Sequence, residues 1–273
     1  MSGLLLVHAH PDDESITSGG VMAQAHDAGK RVVLVTCTGG EAGEIHNMDE
    51  AAVRPRLAQV RAEELRAAGG ILGVDRIVFL GYRDSGMLGT ADNRHPQSFH
   101  VAPTEEAAEK LAVVLREERP EVVVTYGADG LYNHPDHVKA HLVTVSALDL
   151  LAREDWQPEK FYFAVIPRSG LRQIRDRMKA AGLDSPFDEQ EFGRAIPGTP
   201  DEEITTIVDV TPQLARKKAA FEAHRSQLAL DSFFLNTPRD IFEAAFGREA
   251  FVLARGFTGE DGIERDLFAG LTR

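Results

Sequence analysis

The sequence lacks several features that would assign the protein to a broad class. Its 273 residues include one cysteine, Cys37, which excludes an intramolecular disulfide, fits a reducing compartment and is expected to lie buried in the core. No apolar run reaches the ~18 residues of a membrane-spanning helix, and no charged-then-apolar leader opens the chain, so we expect a cytoplasmic protein that binds no membrane. The net charge of −13 argues against a nucleic-acid partner, which needs a basic face. No strand is followed by Gly-x-Gly-x-x-Gly, which disfavours a nicotinamide-dependent dehydrogenase.

What the sequence does contain is the strand and helix alternation of an α/β protein. Hydrophobic residues make up 43% of the chain, enough for a substantial core. Its strands are continuous apolar runs such as Val122–Thr125, typical of a parallel sheet covered on both faces. We therefore predict a Rossmann-like, mostly parallel sheet with helices on both faces. One domain is expected over 1–273, with a core over 1–166 and an elaborated C-terminal part over 167–273.

The expected elements follow from hydrophobic periodicity and from turn residues. Predicted strands are Leu4–Val7, Arg31–Thr36, Arg76–Leu80, Glu121–Tyr126, Lys160–Ile166, Ile204–Val210 and Ala250–Ala254. Predicted helices are Ser15–Ala28, Leu57–Leu72, Glu105–Glu118, Asp136–Ala152, Leu171–Ala181 and Pro212–His224. Polar loops are expected at Gly39–Pro55, Gly81–Pro103 and Gly182–Asp201, and Gly193–Pro200 offers a weak domain boundary.

The first strand ends at a dense polar stretch, His8-Ala9-His10-Pro11-Asp12-Asp13-Glu14. Proline followed by acids also suits an ordinary helix N-terminus, so on this stretch alone helix capping and a metal site are equally good interpretations. His8 lies two residues before His10 on the same side of the strand and is expected to pack or to support other groups. Ligands bind at the carboxyl edge of such sheets, which favours a functional site here.

A second stretch, His134-Pro135-Asp136-His137, repeats this layout after the strand that ends at Tyr126. The i, i+3 spacing places two histidines together at a helix start. His141 follows at i+4 and is expected to be a helix-face histidine without a metal role. If the two stretches meet, their histidines and carboxylates form a catalytic site with three ligands and one open position, suited to Zn²⁺ or Fe²⁺. A leftover carboxylate would act as general base and a leftover histidine as acid, but spacing does not separate Asp12 from Asp13.

Together the two stretches resemble the PIG-L/LmbE-like family of zinc-dependent N-deacetylases. The resemblance covers roughly the first 165 residues. It is greatest to the actinobacterial thiol-biosynthesis branch, which includes N-acetylglucosaminyl-inositol deacetylase and mycothiol S-conjugate amidase. Supporting stretches are Thr36–Glu41, Gly43-Glu44 and Arg83–Met87.

The resemblance implies a role for each matching residue. The metal ligands would be His10, Asp13 and His137. Asp12 would be the general base that takes a proton from the attacking water. His134 would protonate the leaving amine or stabilise the oxyanion, with Asp136 orienting it. Tyr132 would hydrogen-bond the tetrahedral intermediate.

The resemblance also implies a substrate pocket, in which Arg61 and Asp84 would hold sugar hydroxyls and Glu44 would reach the far end of the substrate. Each residue has a plainer interpretation. Arg61 could be a surface charge, Asp84 a turn cap, Glu44 a solvated side chain and Tyr132 a packing residue. His95 and His100, in the loop that contains Asp84, are expected at the surface.

The implied function is removal of an acetyl group from an N-acetylglucosaminyl compound such as GlcNAc-inositol, with a small-molecule sugar as partner and a homo-oligomer as a possible assembly. Cleavage of a thiol conjugate, or deacetylation of an antibiotic or bacillithiol precursor, is the alternative. Thr17 stands where the amidase pattern has a lysine, which favours the deacetylase. A sugar-binding module without turnover is a third hypothesis, which the intact Asp12 disfavours.

Overall fold

Seven strands form one sheet in the computed structural model, which describes residues 3–182, 198–230, 232–259 and 262–271. The strand order is β3-β2-β1-β4-β5-β7-β6. Strands β1 to β5 run parallel, and β7 is antiparallel to both β5 and β6. The strands are β1 Gly3–His8, β2 Arg31–Thr38, β3 Arg76–Tyr82, β4 Val122–Tyr126, β5 Lys160–Val165, β6 Thr206–Asp209 and β7 Arg248–Arg255. The predicted α/β sheet is confirmed, and the C-terminal part extends it by two strands.

Helices lie on both faces of the sheet, as predicted. In the described ranges they are α1 Asp13–Thr17, α2 Gly19–Asp27, α3 Glu50–Val53, α4 Leu57–Leu72, α5 Thr104–Glu118, α6 Gly130–Asn133, α7 Pro135–Ala152, α8 Arg168–Ala180, α9 Leu214–Ala223, α10 Phe233–Asn236 and α11 Arg239–Phe246. Among these, none is long and apolar enough to cross a bilayer.

The core has two layers because successive strand residues face opposite sides of the sheet. Leu5 and Val7 of β1 pack in the layer that contains residues of α5 and α7. Leu4 and Leu6 pack in the other layer, with residues of α2, α4 and α9. Cys37 is fully buried in the first layer, as expected. Both faces of β1 are therefore apolar, and its polar residues are confined to the end where the strand stops.

The predicted helix Ser15–Ala28 is two helices, which meet at Ser18 with φ −145° and ψ 6°. The carboxylate of Glu249, on β7, accepts hydrogen bonds from the N–H groups of Gly20 and Val21 at 2.7 and 2.8 Å. It thus satisfies donors that a continuous helix would have paired internally. A residue about 230 positions away therefore determines where α2 begins.

Several other boundaries differ from the prediction. The loop expected at Gly39–Pro55 contains α3, and the loop at Gly81–Pro103 contains two 3₁₀ turns, Ala91–Arg94 and Phe99–Val101. Helices α10 and α11 were not predicted. The predicted loop Gly182–Asp201 and the weak boundary Gly193–Pro200 lie largely outside the described residues.

Candidate active site

The two polar stretches meet at the carboxyl edge of neighbouring strands β1 and β4. The first stretch follows β1 directly. The second begins α7, where Pro135 occupies the first turn and His134 is the N-cap. Proline is favoured there because its fixed φ suits a helix start and its missing N–H is not needed. The predicted convergence of the two stretches is therefore present in the fold.

Three side chains converge on a single point. His10 Nδ1 lies 3.3 Å from Asp13 Oδ2, His137 Nε2 lies 3.3 Å from Asp13 Oδ1, and the two ring nitrogens are 3.3 Å apart. All three residues are buried. Burial alone would raise the pKa of Asp13, but His137 and His10 beside it lower that pKa well below its ordinary value. An ionised carboxylate thus faces two ring nitrogens.

The outer atoms of the two rings are held by other groups. His137 Nδ1 lies 3.1 Å from the carbonyl oxygen of Gly130, and the Tyr126 ring stacks on His137 with centroids 4.3 Å apart. His10 Nε2 lies 3.2 Å from Asp136 Oδ2. An N–H donated outward leaves the inner nitrogen of each ring as a lone-pair donor, the usual arrangement for histidines that bind metals. This donor set therefore fits a divalent cation.

Two overlapping groups of buried histidines and carboxylates have ligand atoms within 4.8 Å of one another, and both could hold a metal ion. One joins His10 to His134 and His137, and the other joins His10 to Asp84 and Asp136. His10 belongs to both groups, so an ion held by either group would contact this histidine.

Asp12 lies beside this cluster without belonging to it. Its Oδ2 accepts a hydrogen bond from Arg61 Nη2 at 3.0 Å, and its side chain is 25% exposed. Burial raises the pKa of Asp12 from 3.8 to about 6, although the Arg61 guanidinium opposes the shift. The structure thus separates two adjacent aspartates that spacing alone could not: Asp13 faces the histidines, and Asp12 faces the arginine.

Arg61 is buried at 3% exposure, so the surface-charge interpretation is wrong. Besides Asp12, it donates hydrogen bonds to the carbonyl oxygens of Pro11 and Gly40. Gly40 has φ +70°, and a Cβ there would lie 2.2 Å from Arg61 Nη1. Glycine at position 40 is what allows the guanidinium to reach the first stretch.

His134 lies with its ring centroid 4.6 Å from that of His10. Its Nδ1 accepts a hydrogen bond from the main-chain N–H of Asp136 at 3.2 Å, which leaves Nε2 to carry the proton of the neutral ring. Burial, followed by the His10 and His137 rings, lowers the pKa of His134 from 6.5 to about 4. The ring is therefore a neutral donor at ordinary pH.

The expected orientation of His134 by the Asp136 carboxylate needs correction. That carboxylate contacts His10 Nε2, and it accepts hydrogen bonds from both the N–H and the hydroxyl of Ser85. Asp136 contacts His134 through its main chain only. Its side chain therefore positions His10, a residue of the other stretch.

The remaining predicted residues surround the cluster at different depths. Asp84 is buried, accepts the Gly86 N–H at 2.8 Å and lies 3.5 Å from His10 Nε2, so it both caps its turn and faces the site. Tyr132 is 46% exposed, with its ring centroid 5.0 Å from that of His137. Glu44 is the most open, with a side chain 86% exposed beside His46.

Sequence reasoning missed three residues that support the site. The Tyr126 hydroxyl donates to Asp13 Oδ2 at 2.7 Å, Ser85 donates to Asp136, and Glu14 accepts the Asp12 N–H at 2.9 Å. The sequence could have indicated Tyr126, because it is the last residue of an apolar strand and carries a hydroxyl at the sheet edge where ligands bind. His141 contacts the carbonyl oxygen of Tyr126 at 2.9 Å, away from the cluster.

The chain is similar to known proteins over most of its length. Residues 5–148 match the profile of the family described as PIG-L: GlcNAc-PI de-N-acetylase. A 1D-myo-inositol 2-acetamido-2-deoxy-alpha-D-glucopyranoside deacetylase from Acidothermus cellulolyticus is 45% identical over 279 aligned positions, covering 98% of this chain and 94% of the relative. A protein of the same name from Geodermatophilus obscurus is 42% identical, covering 98% and 97%.

Among solved structures, an N,N'-diacetylchitobiose deacetylase from Pyrococcus horikoshii superposes with a TM-score of 0.59 at 22% identity. The match covers 92% of this chain and 83% of that chain. At this identity the likeness concerns the fold alone.

Proposed function

Because the chain belongs to the PIG-L family of GlcNAc-PI de-N-acetylases, we propose that it removes the acetyl group from 1D-myo-inositol 2-acetamido-2-deoxy-α-D-glucopyranoside, releasing acetate and a free amine. The observation that carries this proposal is the convergence of His10, Asp13 and His137 on one point with Asp12 left over beside them. Relatives named for this reaction align over nearly the whole chain.

The residues proposed to hold the metal are His10 through Nδ1, Asp13 through its carboxylate and His137 through Nε2. Two nitrogens and one carboxylate suit Zn²⁺, and Fe²⁺ accepts the same ligands. When bound, the ion supplies a Lewis acid that polarises the amide carbonyl and acidifies water.

Asp12 is the proposed general base. Its carboxylate takes a proton from the attacking water as the new C–O bond forms. A pKa of about 6 leaves Asp12 ionised at neutral pH and makes its conjugate acid strong enough to release the proton later. The bond from Arg61 Nη2 to Oδ2 keeps this carboxylate in place before and after the transfer.

His134 was expected either to protonate the amine or to stabilise the oxyanion, and its environment favours the second role. A neutral ring with its proton on Nε2 is a good hydrogen-bond donor and a poor acid. In the proposed mechanism the Nε2–H and the Tyr132 hydroxyl donate to the developing oxyanion. The proton held by Asp12 then passes to the nitrogen as the C–N bond breaks.

Substrate contacts are proposed for Arg61, Asp84 and Glu44. The buried Asp84 carboxylate lies beside His10, where it would accept hydrogen bonds from hydroxyls of the sugar that carries the acetamide. Glu44 lies at the open end, where a cyclitol ring would extend. The Arg61 guanidinium donates three hydrogen bonds to groups of the protein, one of them to the Asp12 carboxylate. Its main role in this proposal is therefore to support Asp12.

Acetate release from GlcNAc-inositol by purified protein tests the proposal. A thiol-conjugate amide run in parallel separates deacetylation from conjugate cleavage. We expect turnover of the acetamido sugar, loss of activity after treatment with a chelator, and recovery on adding Zn²⁺ or, without oxygen, Fe²⁺. Binding of the sugar without acetate release supports a sugar-binding module instead. Activity that survives both metal removal and Asp12→Asn contradicts the mechanism.

A further inference from the structure

The main chain at Asp12 is strained. Its φ of 121° and ψ of −30° fall where a side chain with a Cβ is strongly disfavoured. Such conformations are unfavourable and persist only where the surroundings impose them. Something in the fold must therefore hold the residue that we propose as the general base.

Glu14 is the residue that holds the main chain there. Its Oε2 accepts the Asp12 N–H at 2.9 Å. Its Oε1 accepts hydrogen bonds from the Ser15 hydroxyl at 2.5 Å and from His224 Nε2 at 2.7 Å. Glu14 is fully buried and His224 is 1% exposed, so water competes for neither contact. One oxygen of the Glu14 carboxylate thus binds the strained turn, and the other binds a histidine far away in the sequence.

His224 caps the C-terminal end of α9 and reaches the site from the C-terminal part of the chain. Within the described residues, its other ring nitrogen, Nδ1, is buried without a hydrogen-bond partner. The ring is therefore polar on one side only, towards Glu14. Burial of the unpaired Nδ1 costs free energy, and the hydrogen bond between Nε2 and Glu14 opposes that cost.

The segment that carries His224 is fixed to the helix that carries Arg61. Two residues later, the Ser226 N–H and hydroxyl donate to the carboxylate of Glu64 on α4 at 2.7 and 2.6 Å. Arg61, on the same helix, holds the Asp12 carboxylate and the Pro11 carbonyl. Helix α4 and the end of α9 therefore restrain Asp12 on both sides, at its side chain and at its main chain.

We propose that Glu14 and His224 form a positioning pair that holds the main chain of Asp12 and so aims its carboxylate. Neither member belongs to the converging ligand atoms or to the exposed surface of the site, and they act through Asp12. This inference rests on the proposed function. It gives the C-terminal part of the chain a specific task in the reaction.

The test compares two substitutions of His224 that differ in reach. In His224→Gln the amide nitrogen can take the place of Nε2 and donate to Glu14. In His224→Asn the amide is one carbon shorter and cannot. We expect His224→Asn to lower kcat by about 10–100-fold, since small displacements of a catalytic group have effects of this order. KM and metal content should stay within about twofold, and His224→Gln should recover most of kcat.

A matched control removes a different buried charged contact. Lys160 Nζ lies 2.6 Å from Glu264 Oε1, and both side chains are fully buried. Lys160 is the first residue of β5, so it lies where the parallel strands begin, whereas the site lies where they end. Lys160→Met should lower the melting temperature and leave kcat within about twofold. If His224→Asn lowers the melting temperature alone, or changes KM or metal content instead of kcat, the positioning role is wrong.

Two further measurements keep the outcomes distinct. A crystal structure of His224→Asn should show Asp12 relaxed from its positive φ, and an unchanged turn would overturn the inference even if the variant were unstable. Glu14→Gln combined with His224→Asn should be no slower than the slower single variant, because both changes release the same turn. Wild-type protein that releases no acetate would refute the proposed function rather than this pair.

Discussion

Two stretches of this chain share the order His-Pro-Asp and follow strands at the same sheet edge, yet they fold differently. In the second, His134 caps α7 and Asp136 enters its first turn with regular geometry. In the first, Asp12 takes a φ of 121° and no side chain caps the helix that follows. The main chain of the second stretch is held by the regular helix that it begins, whereas in the first stretch Glu14 holds the main chain of Asp12 and Arg61 holds its carboxylate.

This difference separates two tasks of the site. A regular helix start holds His137 and its neighbours where a metal would need them, which local rules are sufficient to build. A strained turn presents one carboxylate beside the ligands but not among them, and it requires partners from elsewhere. Variants at equivalent positions of the two stretches should therefore have different effects.

Replacing the base should have the largest effect. Asp12→Asn keeps the size of the side chain and removes its ability to accept a proton, so kcat should fall by about 10²–10⁴-fold. Metal content should match wild type, because Asp12 makes no contact with the converging ligand atoms. Steady-state kinetics and metal analysis on the same preparation check both parts. Loss of the metal together with activity would mean that Asp12 is itself a ligand.

Removing the proposed oxyanion donor should have the next largest effect. His134→Ala should lower kcat by about 10²–10³-fold, the usual cost of one such donor. His141→Ala, on the same helix but directed at the Tyr126 carbonyl, serves as the control and should stay within about twofold. Metal content decides between the proposed ligands His10, Asp13 and His137 and the group of three histidines, since His134 also lies within reach of His10 and His137. If His134→Ala empties the site, the three-histidine group is the correct one.

At the equivalent aspartate of the second stretch the effect should fall on metal affinity. Asp136→Asn replaces one oxygen acceptor that serves His10 and Ser85 with an amide donor. Groups of this kind support the ligands, and their loss typically costs about 10–100-fold in affinity. Competition with a chelator measures the change, and excess metal should restore much of kcat. A kcat defect that saturating metal does not repair would give Asp136 a direct role in the reaction.

The comparison also explains what could be predicted from the sequence. Strand β4 and the start of α7 follow from local patterns, an apolar β-branched run and a proline at a helix start. Their meeting with the end of β1 follows from the rule that parallel strands share one carboxyl edge. The convergence of His10 with His137 was therefore predictable before any coordinates.

What sequence reasoning missed depends on residues far away in the chain. The break at Ser18 depends on Glu249, and the turn at Asp12 depends on Glu14 and His224. The Asp136 carboxylate was assigned to its near neighbour His134, whereas it contacts His10 across the sheet edge. Periodicity and spacing describe local order, so they do not identify partners more than a hundred residues apart.

The smallest expected effect tests the backbone difference itself. At position 12 glycine tolerates a positive φ and alanine does not, so Asp12→Gly should be more stable than Asp12→Ala by about 1 kcal/mol. At position 136, in a regular first turn, the order should reverse, with glycine less stable than alanine by about 0.5–1 kcal/mol. Each pair loses the same carboxylate contacts, so the difference within a pair isolates the main chain. Denaturant unfolding of the four metal-free variants measures it. Equal signs at the two positions would mean that the two stretches do not differ in backbone strain.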